Sequence, residues 1–391
     1  MEKEIEEKKH PTFYTIMQLL IAGCAGVVVT GDVFNLFVLA EVASLSTYSL
    51  IAIAGKKALR ASFKYLILGS IGICFYLLGI GFLYAVTGTL NMIDMRIILQ
   101  NLYENKMVHV GFVLIFVGLG IKAAVFPLHT WQPDAYTYAP SVVTLIMSTV
   151  VAKTFIYALI RIIFSVFTIN FLVRYIEVWN LIPGIAGIAI IICSILAYRQ
   201  NNIKRMLAYS SIVNVAYILL GISLFHSHWS VAGGIVNILN HAIAKGCAFA
   251  AVGAIFYKTK KLEITSMRGL AKKMPYTSGA FLIAMLTLIG IPPSAGFVTK
   301  FYLAIGCLEA QNYLMLAIIL LGTLLTLAYF LRVIEELYFK HQNHNNIEEA
   351  PKSILLPSVF LAVLCLILGI LWLSGLPIGV VEKIVNSMGV P

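Results

Sequence analysis

The chain has 391 residues, of which 60% are hydrophobic and 12% charged, with a mean hydropathy of +0.92. A soluble domain carries roughly 25% charged residues, so this composition excludes a soluble catalytic domain and indicates a polytopic α-helical membrane protein. The formal net charge of +11 would suit a nucleic-acid partner in a soluble chain, but its distribution follows membrane topology and no nucleic acid is expected.

Taken in chain order, residues 1–12 form a charged cytoplasmic N-terminal segment without the features of a cleavable signal peptide. Apolar runs of membrane-crossing length then predict spans at 13–29, 33–54, 63–86, 108–125 and 140–164, which together make a first five-helix repeat over 13–164. Spans at 181–198, 206–225, 231–257, 279–305 and 314–337 make a second repeat over 181–337. A final span at 354–372 precedes a short C-terminal tail, 373–391. The fold expected is therefore an all-α polytopic membrane protein: about eleven transmembrane helices, as two inverted five-helix repeats with discontinuous helices plus a final helix.

Assigning loops alternately from a cytoplasmic N-terminus puts 18 Lys and Arg on the cytoplasmic side. Four, Arg96, Lys106, Arg174 and Lys383, fall opposite. The positive-inside rule then orients the chain as a multi-pass protein of the cell membrane, N-terminus cytoplasmic and C-terminus outside. Six further basic residues lie within spans: Lys122, Lys153, Arg161, Lys245, Lys300 and Arg332. Arg161 and Arg332 sit near span ends and can snorkel. The four lysines lie deeper, where an ionisable group is costly and commonly marks an ion path.

Glu41 is the one carboxylate well inside a span; Asp32 stands at the entrance of the same helix. A lysine keeps its charge beside a carboxylate and loses that support in dry surroundings, so a movable Glu–Lys pairing can take up and release protons. Asn237, His241 and Lys245 follow at i, i+4 and i+8 on one helix face, and Thr149 and Lys153 are likewise four apart. For Asn237 and Thr149, interhelical hydrogen bonding explains the polarity equally well. For His241 beside Lys245 a relay is the preferred reading; a haem reading is poor, for want of a second intramembrane histidine ligand.

Pro127 follows Lys122, and Pro292 and Pro293 precede Lys300, so two spans are expected to be broken helices. Paired interruptions in two halves of a chain point to an ion pathway between inverted repeats. The six cysteines include no CxxC pair and argue for no zinc or iron–sulfur framework. No metal, cofactor or catalytic centre is expected in the chain itself.

The segments GDVFNLFVLAEV, GIKAAVFPLHTWQPDA, APSVVTLIMSTVVAKTFIYALIRI, NIKRMLAYSSIVNVAYILLG, HAIAKGCAF and GIPPSAGFVTKFYL occur in this order. With them the chain resembles, over residues 13 to 340, the antiporter-like subunits shared by respiratory complex I, Mrp-type cation/proton antiporters and membrane-bound energy-converting hydrogenases. The resemblance implies that Glu41 matches the family's fifth-helix glutamate and Lys122 the lysine of its broken seventh helix. It further implies that Lys153 is the eighth-helix lysine, His241 and Lys245 the eleventh-helix polar pair, and Lys300 the exit residue of the twelfth helix. The GDVFNLF opening gives the likeness an Mrp-like or hydrogenase-like flavour.

The family typically has fourteen helices, and the chain is expected to begin at the fourth. The expected function is a proton-translocating subunit of a multisubunit redox-driven complex, such as an NADH:quinone oxidoreductase or a hydrogenase. Its partners would be other membrane subunits, the lipid bilayer and protons, with Na+ left open. The alternative is a subunit of a secondary Na+/H+ antiporter with no redox partner.

Overall fold

The computed structural model describes residues 4–341, 347–375 and 378–390. Its helices are α1 (His10–Val29), α2 (Val33–Ala52), α3 (Lys56–Thr87), α4 (Met92–Leu99), α5 (Lys106–Lys122) and α6 (Gln132–Tyr138). Next come α7 (Ser141–Ile146), α8 (Ala152–Arg161) and α9 (Thr168–Tyr175), a run joined by π-helical turns at Met147–Val151 and Ile162–Phe167. Then follow α10 (Ile182–Tyr198), α11 (Ile203–Ser223), α12 (His228–Thr259), α13 (Pro275–Ile289) and α14 (Ala295–Glu309). The last are α15 (Tyr313–Ile334), α16 (Lys352–Leu373) and α17 (Ile378–Ser387).

Among the described residues, nine helical segments are long and apolar enough to cross a membrane. The two remaining expected spans fall on α5, of 17 residues, and on the α13–α14 pair, which residues 290–294 interrupt. The span expected at 140–164 is followed to Tyr175 by further helix, with Thr168 in a non-helical conformation between the π turn Ile162–Phe167 and the rest of α9. Between the spans expected at 63–86 and 108–125 the chain forms α4, and the tail contains α17.

Helix starts are fixed by side chains that take up otherwise orphaned N–H groups. Asp32 accepts from Phe34 N and Asn35 N, Asn91 from Ile93 N and Asp94 N, and Asn202 from Arg205 N. The same caps sit in a recurrent device. The chain at Asp32 forms an isolated β-bridge with Asn91, and the chain at Asn202 forms one with Glu263. In each case the start of one helix (α2, α11) is tied to the loop that follows the next helix (α3, α12).

The helices form two compact units. The first comprises residues up to Val143, Val150–Ile182 and Asn386–Val390; the second comprises Thr144–Thr149 and Pro183–Val385. In the first, α3 and α5 pack through glycines: a Cβ on Gly72 would lie 3.0 Å from Gly118 O, and one on Gly79 2.8 Å from Gly111 O. Small residues let backbones approach in the way that membrane helix pairs require. That contact carries the end of α5 against the middle of α3. In the second, α12 is the buried centre, packed by α11, α13, α14 and α16.

Candidate functional site

In the first unit the site is built around Lys122, the last residue of α5, whose side chain is wholly buried. A cation at a helix C-terminus is favoured by the helix dipole. Its ammonium donates to Glu41 Oε1 at 2.9 Å, to Ser44 Oγ at 2.7 Å and to Tyr48 Oη at 3.1 Å. An ammonium has three N–H donors, so all three are used. The acceptors lie on α2 at i, i+3 and i+7, one face of the helix. Ser44 gives its own hydroxyl hydrogen to Ala40 O at 2.7 Å and keeps lone pairs for the lysine. Glu41 retains 24% side-chain exposure, so the carboxylate is the part of the pair that reaches outward.

An aromatic bracket fixes this arrangement. Tyr48 meets Tyr65 edge-on at 4.6 Å, and Tyr65 stacks on Trp131 at 3.6 Å. Trp131, on the far side of the break at Pro127, donates Nε1–H to Ile121 O at 2.9 Å. Beside the bracket, a Cβ on Gly69 would collide with the Tyr48 hydroxyl and come within 3.5 Å of Lys122 Nζ. The glycine is what leaves room for the pair.

Lys153 lies buried in the first turn of α8, directly after the π turn at Met147–Val151. Two residues on, the Phe155 ring centre is 6.0 Å from Lys122 Nζ, so α8 borders the Glu41–Lys122 pair. π turns inside α-helices recur at functional sites. Lys64, five residues before Gly69 on α3, pairs at 2.9 Å with Asp134, three residues after Trp131.

In the second unit the stripe Asn237, His241 and Lys245 is buried along α12. Lys245 donates to Leu207 O on α11 at 2.7 Å, and Asn237 Nδ2 donates to Asn214 O at 3.3 Å. Lys300 on α14 donates to Ile289 O, the last carbonyl of α13, at 2.7 Å, and lies 5.3 Å from the centre of the Tyr217 ring. A cavity of about 10 Å³ is lined by Asn214, Tyr217, Asn237, Asn240, His241 and Lys300, among others. That is about the volume one water needs. Asn240 Oδ1 is buried with no hydrogen-bond partner among the described residues, while its Nδ2 donates to Ala295 O and Thr299 Oγ1. The unmet acceptor supplies the polarity a water requires.

The structure thus joins Glu41 to Lys122 directly and gathers His241 and Lys300 around one small cavity, with Lys245 one turn along from His241. Sequence reasoning does not single out Ser44, Tyr48 or Asn240. It also places Lys204 in a cytoplasmic loop. In the structure Lys204 is in the first turn of α11, only 2% exposed, with Nζ 5.8 Å from the centre of the Phe256 ring. The helix begins at Ile203 rather than 206, which draws the lysine into the fold.

The family described as "NADH:quinone oxidoreductase/Mrp antiporter, TM" matches residues 30–326. The chain belongs to this family. The antiporter-like chain is 42% identical over 333 residues to the NADH-quinone oxidoreductase subunit N of Desulforudis audaxviator, covering 85% of the chain and 66% of that relative. It is 31% identical to the D subunit of the Na(+)/H(+) antiporter of Bacillus subtilis, covering 93% of the chain and 74% of that relative. Its fold matches a chain in the structure of the membrane-bound sulfane sulfur reductase, an archaeal respiratory membrane complex. There the TM-score is 0.89 at 32% identity, over 99% of this chain and 78% of that one. The antiporter-like chain therefore spans about two thirds to three quarters of these relatives' lengths. It is a multi-pass membrane protein of the complex I or Mrp type, and its homologues are subunits of multisubunit membrane complexes.

Proposed function

We propose that the chain translocates protons as a membrane subunit of a redox-driven multisubunit complex. The carrying observation is the Lys122 ammonium, buried and held by one carboxylate and two hydroxyls. A charge placed so expensively is retained where it moves charge. In this reading Glu41 and Lys122 modulate a relay whose first part includes Lys153. Its second part runs through His241 and Lys245 to Lys300. Electrons are handled by partner subunits. With Lys204 set aside as buried in α11, a 17-to-4 division of basic residues supports a cytoplasmic N-terminus and an external C-terminus.

The test is the Lys122→Ala variant of the assembly, isolated through this chain and reconstituted in vesicles. Electron transfer should continue while formation of the pH gradient is lost. Full pumping by the variant overturns the reading. The likeness to a Na(+)/H(+) antiporter component favours a second reading, a secondary Na+/H+ antiporter without a redox partner. An iron-bearing set of co-purifying subunits supports the first reading. A metal-free set of membrane proteins supports the second.

A further inference from the structure

A second polar cavity, of about 340 Å³, opens in the first unit at the end of α3 remote from its lysine-rich start. Arg96 and Gln100 reach it four residues apart on α4 and just beyond it, and Asn170 and Arg174 four apart on α9. The wall between them is held by Tyr103, whose hydroxyl donates to Phe167 O at 2.7 Å and lies 3.0 Å from Thr168 Oγ1. Thr168 has φ +66°, a conformation costly for a β-branched residue, and it follows immediately on the π turn Ile162–Phe167.

Each arginine taken alone complements the dipole at the end of its own short helix. That does not account for their convergence. Arg96 and Arg174 are two of the four Lys and Arg assigned to this side of the membrane, where positive charge is sparse. Neither pairs with a carboxylate among the described residues, and no Asp or Glu among them lines the cavity. Beside them the surface turns apolar: Ile93 and Ile97, four apart on α4, are 70% and 60% exposed, and Val173 next to Arg174 is 54% exposed. Guanidinium groups over exposed aliphatic side chains match the boundary between headgroups and acyl chains.

We propose that this cavity binds the phosphate of an anionic phospholipid headgroup, with Arg96 and Arg174 as the phosphate ligands and Ile93, Ile97 and Val173 against the acyl chains. Arginine forks bind phosphate oxygens in pairs, and the Gln100 and Asn170 amides supply further donors. A free phosphate would use the same polar groups but would gain nothing from the aliphatic flank.

The experiment is native mass spectrometry of the intact assembly released from detergent. It is offered in turn phosphatidylglycerol, phosphatidylcholine of the same acyl chains, and inorganic phosphate. The wild-type assembly should retain phosphatidylglycerol over phosphatidylcholine, and the R96Q/R174Q variant should retain it about ten-fold less. The K56Q/K57Q variant, altered at the opposite end of α3, should retain it unchanged. If the double variant does not assemble, the single variants R96Q and R174Q must each show a partial loss. Equal retention of the two lipids, or retention indifferent to the arginines, overturns the proposal. Saturable binding of inorganic phosphate without lipid preference overturns the lipid assignment.

Discussion

Trp131 donates its indole N–H to Ile121 O at 2.9 Å, across the proline break that ends α5. Ile121 is the neighbour of Lys122, and its carbonyl, which accepts from Ala124 N at 3.2 Å in the turn that ends the helix, takes the indole as a further donor. The tryptophan therefore closes the helix end from which the lysine projects. Lys300 donates likewise to Ile289 O at the end of α13. In both broken helices a side chain from beyond the break bonds to a carbonyl in the last turn of the first half.

Trp131→Phe keeps a ring against Tyr65 and removes the donor. Ile121 O keeps the Ala124 N–H, so the change removes one neutral hydrogen bond worth about 1 kcal/mol, and the variant should lose thermal stability modestly. Its pumping per electron transferred should fall more than its electron transfer, read in the same vesicles. Unchanged pumping in Trp131→Phe would separate the bracket from the site.

Tyr48→Phe and Ser44→Ala each remove one neutral acceptor from Lys122 and leave the Glu41 pairing in place. A hydrogen bond from a charged group is worth about 1.5–3 kcal/mol, or roughly ten- to a hundred-fold. Each variant should slow pumping by about that factor, and the pair together by more than either. Glu41→Gln, by contrast, removes the charge and should be the most damaging single change on α2.

Gly69→Ala should damage the site as severely as a change in the site itself. The added methyl would meet the Tyr48 hydroxyl and lie near Lys122 Nζ, between helices α2 and α3 that already pack together. Overpacking of this kind typically costs about 1–3 kcal/mol. Assembly of the variant with normal pumping would mean that Tyr48 can leave Lys122 without consequence.

Asn240→Leu fills the small cavity of the second unit with an apolar group and removes two donated hydrogen bonds. The expected result is loss of pumping with the Glu41–Lys122 pair untouched. Slower proton release should appear even at saturating redox substrate. Retention of wild-type pumping would show that no water in this cavity carries protons.

The four lysines and the glutamate are legible in the sequence because charge is rare in hydrocarbon, so each exception stands out without reference to structure. The breaks are legible because proline marks them. Ser44 and Tyr48 are not, since serine is ordinary in an apolar helix, where it bonds to the carbonyl four residues back as Ser44 does to Ala40. Asn240 is hidden beside the more regular stripe of Asn237, His241 and Lys245. The π turns around α8 depend on hydrogen-bond register, which residue type does not specify. For Lys204 a boundary error of three residues is enough to turn a buried cation into a loop one.

The Lys122 ammonium is gripped by acceptors of two kinds, one charged and two neutral. Protonation or displacement of Glu41 would remove the counter-charge while leaving both hydroxyl contacts. Ser44 and Tyr48 stay on α2 whatever the carboxylate does. Location and electrostatic support are thus supplied by different side chains. Under the proposed function, a change at Glu41 would therefore alter the charge facing the lysine without requiring the lysine to move.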